Sequence, residues 1–231
     1  MDKLRISTII FDAGGVLMYY KRKRNAIVRG LLTSMNYDPF SIEVAINEGE
    51  DFDVKYFEDH KQINNWKEEK EWLLSHYTKI AATIDEGNEF LADKLFMLTF
   101  DTNEYVLYPE VIEILEELKE RHKLGVISNC NPSLDWAFSS LGIRRFFDDI
   151  VISAYERIEK PDKEIYIRSM KNLGSKAEEC IFIDDRIENV RAAEELGMMG
   201  LHLKRDENES LRTLVDLLEQ ADIESAEASV V

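Results

Sequence analysis

The chain has 231 residues, long enough for one large domain or for a domain that carries an insert. Its net charge of -17 argues against a nucleic-acid partner, and no apolar run approaches the ~20 residues that cross a bilayer, so no membrane span is expected. The N-terminal apolar stretch is short and lacks a small-residue cleavage site. Cys130 and Cys180 have no zinc-site spacing and fit a reducing compartment, so a cytoplasmic location is expected.

The first element is the run Ile6-Ser7-Thr8-Ile9-Ile10-Phe11, which ends abruptly on Asp12 and is followed by Ala13-Gly14-Gly15-Val16-Leu17. An Ile-rich run bounded by glycines reads as a fully buried strand. Asp12 then sits just past its C-terminal end, where open α/β sheets bind ligands. From about Lys21 to Glu104 the signals are helical, with apolar residues at three- and four-residue steps over Ile63–Ile84 and again over Glu89–Phe100. From Tyr108 onward helix and strand signals alternate. Helices are predicted at Glu110–His122, after Pro132, at Lys163–Leu173, at Glu188–Leu196 and near Glu207–Gln220. Strands are predicted at Lys123–Asn129, Asp149–Ser153, Cys180–Asp184 and Met199–Leu203, and fraying is expected from Glu224 on. This alternation predicts a mainly parallel sheet, interrupted after its first strand by a helical insertion.

Four segments stand at predicted strand ends or in the loops after them: Asp12 with its glycine loop, Ser128-Asn129, Lys160-Pro161, and Asp184-Asp185 with Arg186 and Asn189 close behind. Taken singly, each has a plain reading. Asp12 could form a turn or cap a helix, Ser-Asn is a common turn, and Asp-Asp before a helix complements its dipole. Their order and spacing give them force, because one sheet edge would bring all four together. Acids on neighbouring strands form a hard oxygen site of the kind Mg2+ prefers, and a lysine there supplies a cation to a phosphoryl group.

Together these segments resemble the four motifs of the haloacid dehalogenase superfamily: Phe11-Asp12-Ala13-Gly14-Gly15-Val16-Leu17, Val126-Ile127-Ser128-Asn129, Glu159-Lys160-Pro161-Asp162 and Ile183-Asp184-Asp185-Arg186-Ile187-Glu188-Asn189. Tyr108-Pro109 and Ala192–Met198 also fit. The resemblance implies an α/β fold: a Rossmann-like parallel sheet core, residues 1–17 and 105–231, with an inserted α-helical cap domain, residues 18–104. It implies a phosphatase acting on a small phosphorylated metabolite, with Asp12 as the nucleophile that forms an aspartyl-phosphate. By the same resemblance Ala13, Gly14, Ser128, Asn129 and Lys160 surround the phosphoryl group, and Lys160 neutralises charge there. Mg2+ would be held by Asp12, the Gly14 carbonyl and Asp185, with Asp184 acting through water. Asn189 would orient the fourth loop, and Arg186 would lie on the surface. The oligomeric state is not legible.

One position departs from the pattern. Most phosphatases of this superfamily carry a second Asp two residues after the nucleophile, which protonates the leaving group, although some with a Gly-Gly or Gly-Asn loop are also classed as phosphatases. This chain has Gly14 there. The 2-haloacid dehalogenases also lack that acid and use no metal, but they lack an adjacent pair such as Asp184-Asp185. A non-enzymatic binding protein on the same fold is the third reading. The basic run Lys21-Arg22-Lys23-Arg24 reads as a solvated helix start or as a contact to an anionic substrate. Trp66, Trp72, Tyr77, Phe90, Phe96 and Phe100 read most simply as the core of the helical insert, with some members open to face a substrate cleft instead.

Overall fold

A computed structural model describes residues 6–60, 63–100 and 104–227. In chain order its elements begin with strands β1 (Thr8–Phe11) and β2 (Met18–Tyr20) and four helices, α1 (Arg24–Ser34), α2 (Pro39–His60), α3 (Trp66–Asp85) and α4 (Leu91–Thr99). There follow β3 (Tyr105–Leu107), α5 (Val111–Lys119), β4 (Lys123–Ser128), α6 (Ser133–Ser140), β5 (Asp149–Ile152), α7 (Ser153–Glu156) and α8 (Lys163–Leu173). The chain closes with β6 (Cys180–Asp184), α9 (Ile187–Glu194), β7 (Met199–His202) and α10 (Arg212–Glu227). The chain divides into two compact units. One comprises the residues up to Tyr19, Val106–Cys130 and Leu134 onward; the other comprises Tyr20–Tyr105 and Asn131–Ser133.

The first unit is built on a five-stranded parallel sheet in the order β5-β4-β1-β6-β7. β1 is central and buried throughout, as are Ile181, Phe182 and Ile183 of β6, which explains why both strands read as unbroken apolar runs rather than as alternation. Helices α5, α8 and α9 show one apolar face each; Ile165 and Tyr166 of α8 and Ala192 and Ala193 of α9 join Ile10, Ile127 and Phe182 in one core. Asp162 caps α8, accepting from the Glu164 N–H at 2.9 Å, and Gly174 ends that helix in the left-handed conformation.

The α/β class is as the alternating pattern predicts, and three details differ. The ribbon of β2 and β3 carries no sequence signal, because three residues are too few to display a period. The helix predicted near Glu207 starts only at Arg212, since Arg205–Glu207 form a 3-10 turn that ends on Asn208 in the left-handed region. α10 then continues to Glu227, past the expected fray point at Glu224. Among the described residues no helix is long and apolar enough to cross a membrane.

The helical unit packs α1–α4 around Val28, Leu32, Ile42, Trp72, Tyr77 and Leu95. Asn65 caps α3 by accepting from the Glu68 N–H at 3.0 Å. Trp72, Tyr77 and Phe96 are buried in this core and Phe100 packs against it, but Trp66 and Phe90 are exposed and do not belong to it. In the basic run Arg22 pairs with Glu104 and Arg24 lies 5.2 Å over the Trp72 ring, so both cations have partners inside their own unit.

Candidate functional site

The site lies at the C-terminal edge of the parallel sheet, and its residues belong to the first unit. Asp12 extends the β1–β6 ladder by one bond, its N–H donating to the Ile183 carbonyl at 2.8 Å. That bond brings the acid after β1 beside the acid that ends β6. Lys160 reaches both from the loop before α8. Its Nζ donates to Asp12 Oδ1 at 2.6 Å, Asp184 Oδ2 at 2.7 Å and the Ile127 carbonyl at 2.8 Å, so all three ammonium hydrogens are used. Lys160 and Asp184 are buried, and Asp12 nearly so. A buried ammonium needs this full set of partners, because desolvation would otherwise exceed its Coulombic gain.

Asp184 is saturated. Oδ1 accepts from the Arg186 N–H at 2.8 Å, and the Asn189 amide donates to both carboxylate oxygens at 3.1 and 3.0 Å. Tyr166 in turn donates to the Asn189 carbonyl at 2.9 Å. The Arg186 guanidinium turns away to pair with Glu188 at the surface. Asp185 is exposed, its carboxylate beside that of Asp184; among the described residues no neighbouring donor holds it. Gly15, at φ +76°, makes room for it: a Cβ at that position would lie 2.2 Å from Asp185 Oδ2. The close approach therefore demands glycine twice over, by space and by backbone conformation. Gly14 is different. It has no positive φ, and a Cβ built there meets nothing within 4 Å.

Ser128 ends β4, and its hydroxyl has no hydrogen-bond partner among the described residues, so it is free for a ligand oxygen. Asn129 is not free in the same way. Its side-chain amide donates to the Lys160 carbonyl at 2.8 Å and accepts from the Lys160 N–H at 2.7 Å. That side chain anchors the backbone of Lys160, which leaves the Asn129 backbone N–H for a ligand. Ala13 is buried, and its carbonyl accepts from the N–H groups of Leu17 and Met18, closing the loop after Asp12.

One oxygen from each of Asp12, Asp184 and Asp185 lies within 4.8 Å of the others. Three carboxylates gather here, and one ammonium pairs with two of them. Burial pushes the Asp12 carboxyl up to about 6, with Asp184 adding to the rise and Lys160 opposing it. Asp185 is also raised, first by the partial burial of its carboxyl group and second by its neighbour Asp184. The excess of negative charge and the all-oxygen donor set fit a divalent cation of the Mg2+ type. Asp12 Oδ2 and the Asp185 carboxylate have no side-chain donor from another described residue, whereas Asp184 has no oxygen to spare.

A family model for haloacid dehalogenase-like hydrolases matches residues 6–197. The chain belongs to this family. Among curated proteins, glyceraldehyde 3-phosphate phosphatase of Methanopyrus kandleri is 36% identical over 101 residues, which is 42% of this chain and 43% of the relative. The protein of the same name from Methanocaldococcus jannaschii is 35% identical over 126 residues, 50% of this chain and 55% of the relative. The chain thus spans about half the length of the curated relatives it matches. Among solved structures, a 2-haloacid dehalogenase from Pseudomonas syringae pv. Tomato has the same fold, with a TM-score of 0.61 at 18% identity over 86% of each chain.

The sequence pattern missed one residue of this edge. His202 ends β7 opposite Asp184, and its Nε2 donates to the Asp185 carbonyl at 3.0 Å. The available signal was a polar residue closing an otherwise apolar strand at the same edge as the acids.

Proposed function

We propose that this chain is a Mg2+-dependent phosphatase that hydrolyses a small phosphorylated metabolite through an aspartyl-phosphate at Asp12. The observation that carries this reading is the set of three convergent carboxylates with one buried lysine between two of them. A carboxylate that attacks carbon needs no such excess of negative charge. Relatives named as glyceraldehyde 3-phosphate phosphatases support the substrate class. We take residues 18–104 as a cap domain and residues 1–17 and 105–231 as the core domain, and two cysteines without zinc-site spacing, Cys130 and Cys180, support a reducing, cytoplasmic setting.

In this mechanism Lys160 holds Asp12 Oδ1, which leaves Oδ2 to attack phosphorus. The Ser128 hydroxyl and the backbone N–H groups of Ala13, Gly14 and Asn129 hold the phosphoryl oxygens. The P–O bond to the leaving group breaks as the Oδ2–P bond forms. Water then attacks phosphorus and regenerates the carboxylate. A bound Mg2+, held by Asp12 and Asp185 with the Gly14 carbonyl, would neutralise charge so that an anionic nucleophile can approach an anionic substrate. Asp184 supports from behind, its oxygens already occupied. Phosphate release from glyceraldehyde 3-phosphate and a panel of phosphorylated metabolites, with and without Mg2+, tests the reading. Halide release from a 2-haloacid in excess chelator, with no phosphate release, would overturn it.

Two substitutions sharpen this assignment. Asp185→Asn should raise the Mg2+ concentration for half-maximal activity by roughly 10-fold or more, the scale of metal-site perturbations. Asp184→Asn should instead lower stability, because it removes one of the two carboxylates that pair with Lys160 and sets an amide N–H against the Asn189 amide, while moving the Mg2+ requirement less. Equal shifts in the Mg2+ titration for both variants would sink the division of roles. Gly14→Asp introduces the missing acid at a position with open space and no positive φ. It should speed an alkyl phosphate relative to an aryl phosphate with an acidic phenol, by at most the ~10²–10⁴-fold that acid–base help supplies. An unchanged ratio of the two rates would mean that another donor already serves the alkyl substrate.

A further inference from the structure

Two ligand-side facts about Asp185 stand in contrast. Asp184, its neighbour, is gripped by Lys160, Asn189 and the Arg186 N–H, while no other described residue donates to the Asp185 carboxylate. Where the Asp185 carboxylate points is therefore set by its backbone. The peptide unit that leaves Asp185 is held on both polar edges. Its N–H, that of Arg186, donates to Asp184 Oδ1 at 2.8 Å, and its carbonyl accepts from His202 Nε2 at 3.0 Å. A peptide unit is planar, so bonds at its two ends stop it from rotating and fix the backbone torsion beside the Asp185 side chain.

His202 is suited to this task by position. The parallel register of β6 and β7 pairs it with Asp184, which brings its ring to the turn that follows. The Leu203 N–H continues the ladder to the Asp184 carbonyl at 3.0 Å, so the strand beneath the ring is itself fixed. A carbonyl oxygen only accepts, so Nε2 carries the hydrogen, whatever the state of Nδ1. His202 also lines, with Gly15, Tyr108 and Asp185, a cavity of about 650 Å³ at this edge of the sheet.

We propose that His202 is a positioning residue for the divalent-cation site: by holding the Asp185 carbonyl it aims the Asp185 carboxylate at the cation. The inference rests on the reading of Asp185 as a direct cation ligand. Its test is the thermal unfolding midpoint of the full chain followed through a MgCl2 titration, which needs no substrate. The wild-type midpoint should rise with Mg2+, and Asp185→Asn should lose most of that rise. His202→Leu should move the Mg2+ concentration that gives half the rise upward, by roughly 10–100-fold, the range for removing a group that orients a metal ligand. His202→Gln, whose amide nitrogen can stand where Nε2 stood, should return most of the way to wild type. If His202→Leu does not fold, His202→Asn, whose amide stops one bond short, provides the same contrast with His202→Gln. A His202→Leu curve that is lowered equally at every Mg2+ concentration, or that superimposes on wild type, overturns the positioning role while leaving the metal site intact. A wild-type midpoint indifferent to Mg2+ overturns the metal reading itself, and this inference with it; Asp185→Asn would then match wild type.

Discussion

Asp12→Asn should reduce phosphate release by on the order of 10⁴–10⁶-fold, the range seen when one member of a nucleophilic catalytic unit is removed. The substitution keeps the shape of the side chain and the acceptor for Lys160, and it removes the charge that attacks. Single-turnover hydrolysis of a phosphomonoester at saturating Mg2+ is the measurement. Turnover near the wild-type rate would dismiss the aspartyl-phosphate. The same variant has a second, opposite signature. The Asp12 carboxyl is pushed from 3.8 up to about 6, mainly by burial, so the fold favours its neutral form. The stability this group contributes is therefore complete below about pH 3.8 and is lost as pH rises through about 6. In chelator at pH 7, Asp12→Asn should be more stable than wild type by up to about 3 kcal/mol, and the gap should close near pH 4. A variant dead in catalysis and more stable without metal marks a buried charge kept for function rather than for the fold.

Lys160→Met should act in the reverse direction and lower both activity and stability. It leaves Asp12 Oδ1, Asp184 Oδ2 and the Ile127 carbonyl without their shared donor. Breaking a buried pair in this way costs about 3–5 kcal/mol, because the remaining charges stay buried and unpaired. Denaturant unfolding in chelator measures it. Asp12→Asn should stabilise Lys160→Met more than it stabilises wild type, since without the ammonium the Asp12 charge is stranded; the double-mutant cycle gives the coupling. Full additivity of the two changes would contradict the direct pairing. Lys160→Arg is not a conservative alternative, because a planar, longer guanidinium cannot place three donors on the acceptors that surround one small ammonium.

The sheet was legible for a simple reason. β1 and β6 are buried on both faces, so burial alone writes them as apolar runs, and Asp12 and Asp184 stand out as the acids where those runs stop. The helical unit was legible from its three- and four-residue apolar steps, but its surface was not: Trp66 and Phe90 belong to the same aromatic cluster in sequence as Trp72, yet Phe90 is exposed and Trp66 is half-exposed, packing on Phe100 outside the buried core. Periodicity says which side of a helix is apolar, and it does not say where the neighbouring helices end.

The roles at the sheet edge divide along the same line. Local pattern determined that Asp12, Ser128, Lys160 and the Asp184-Asp185 pair stand at strand ends or in the loops after them, because strand length and glycine punctuation are local properties. Only the tertiary structure decided who bonds to whom. Lys160 meets Asp12 across 148 residues, the Asn129 side chain spends both its polar ends on the Lys160 backbone 31 residues away, and His202 meets the Asp185 carbonyl across 17. Each of these bonds depends on the register between neighbouring strands and on which groups remain buried once the sheet has formed. Of two adjacent aspartates with the same chemistry, the fold saturates one and leaves the other open, because only Asp184 faces inward among donors that have no water to turn to.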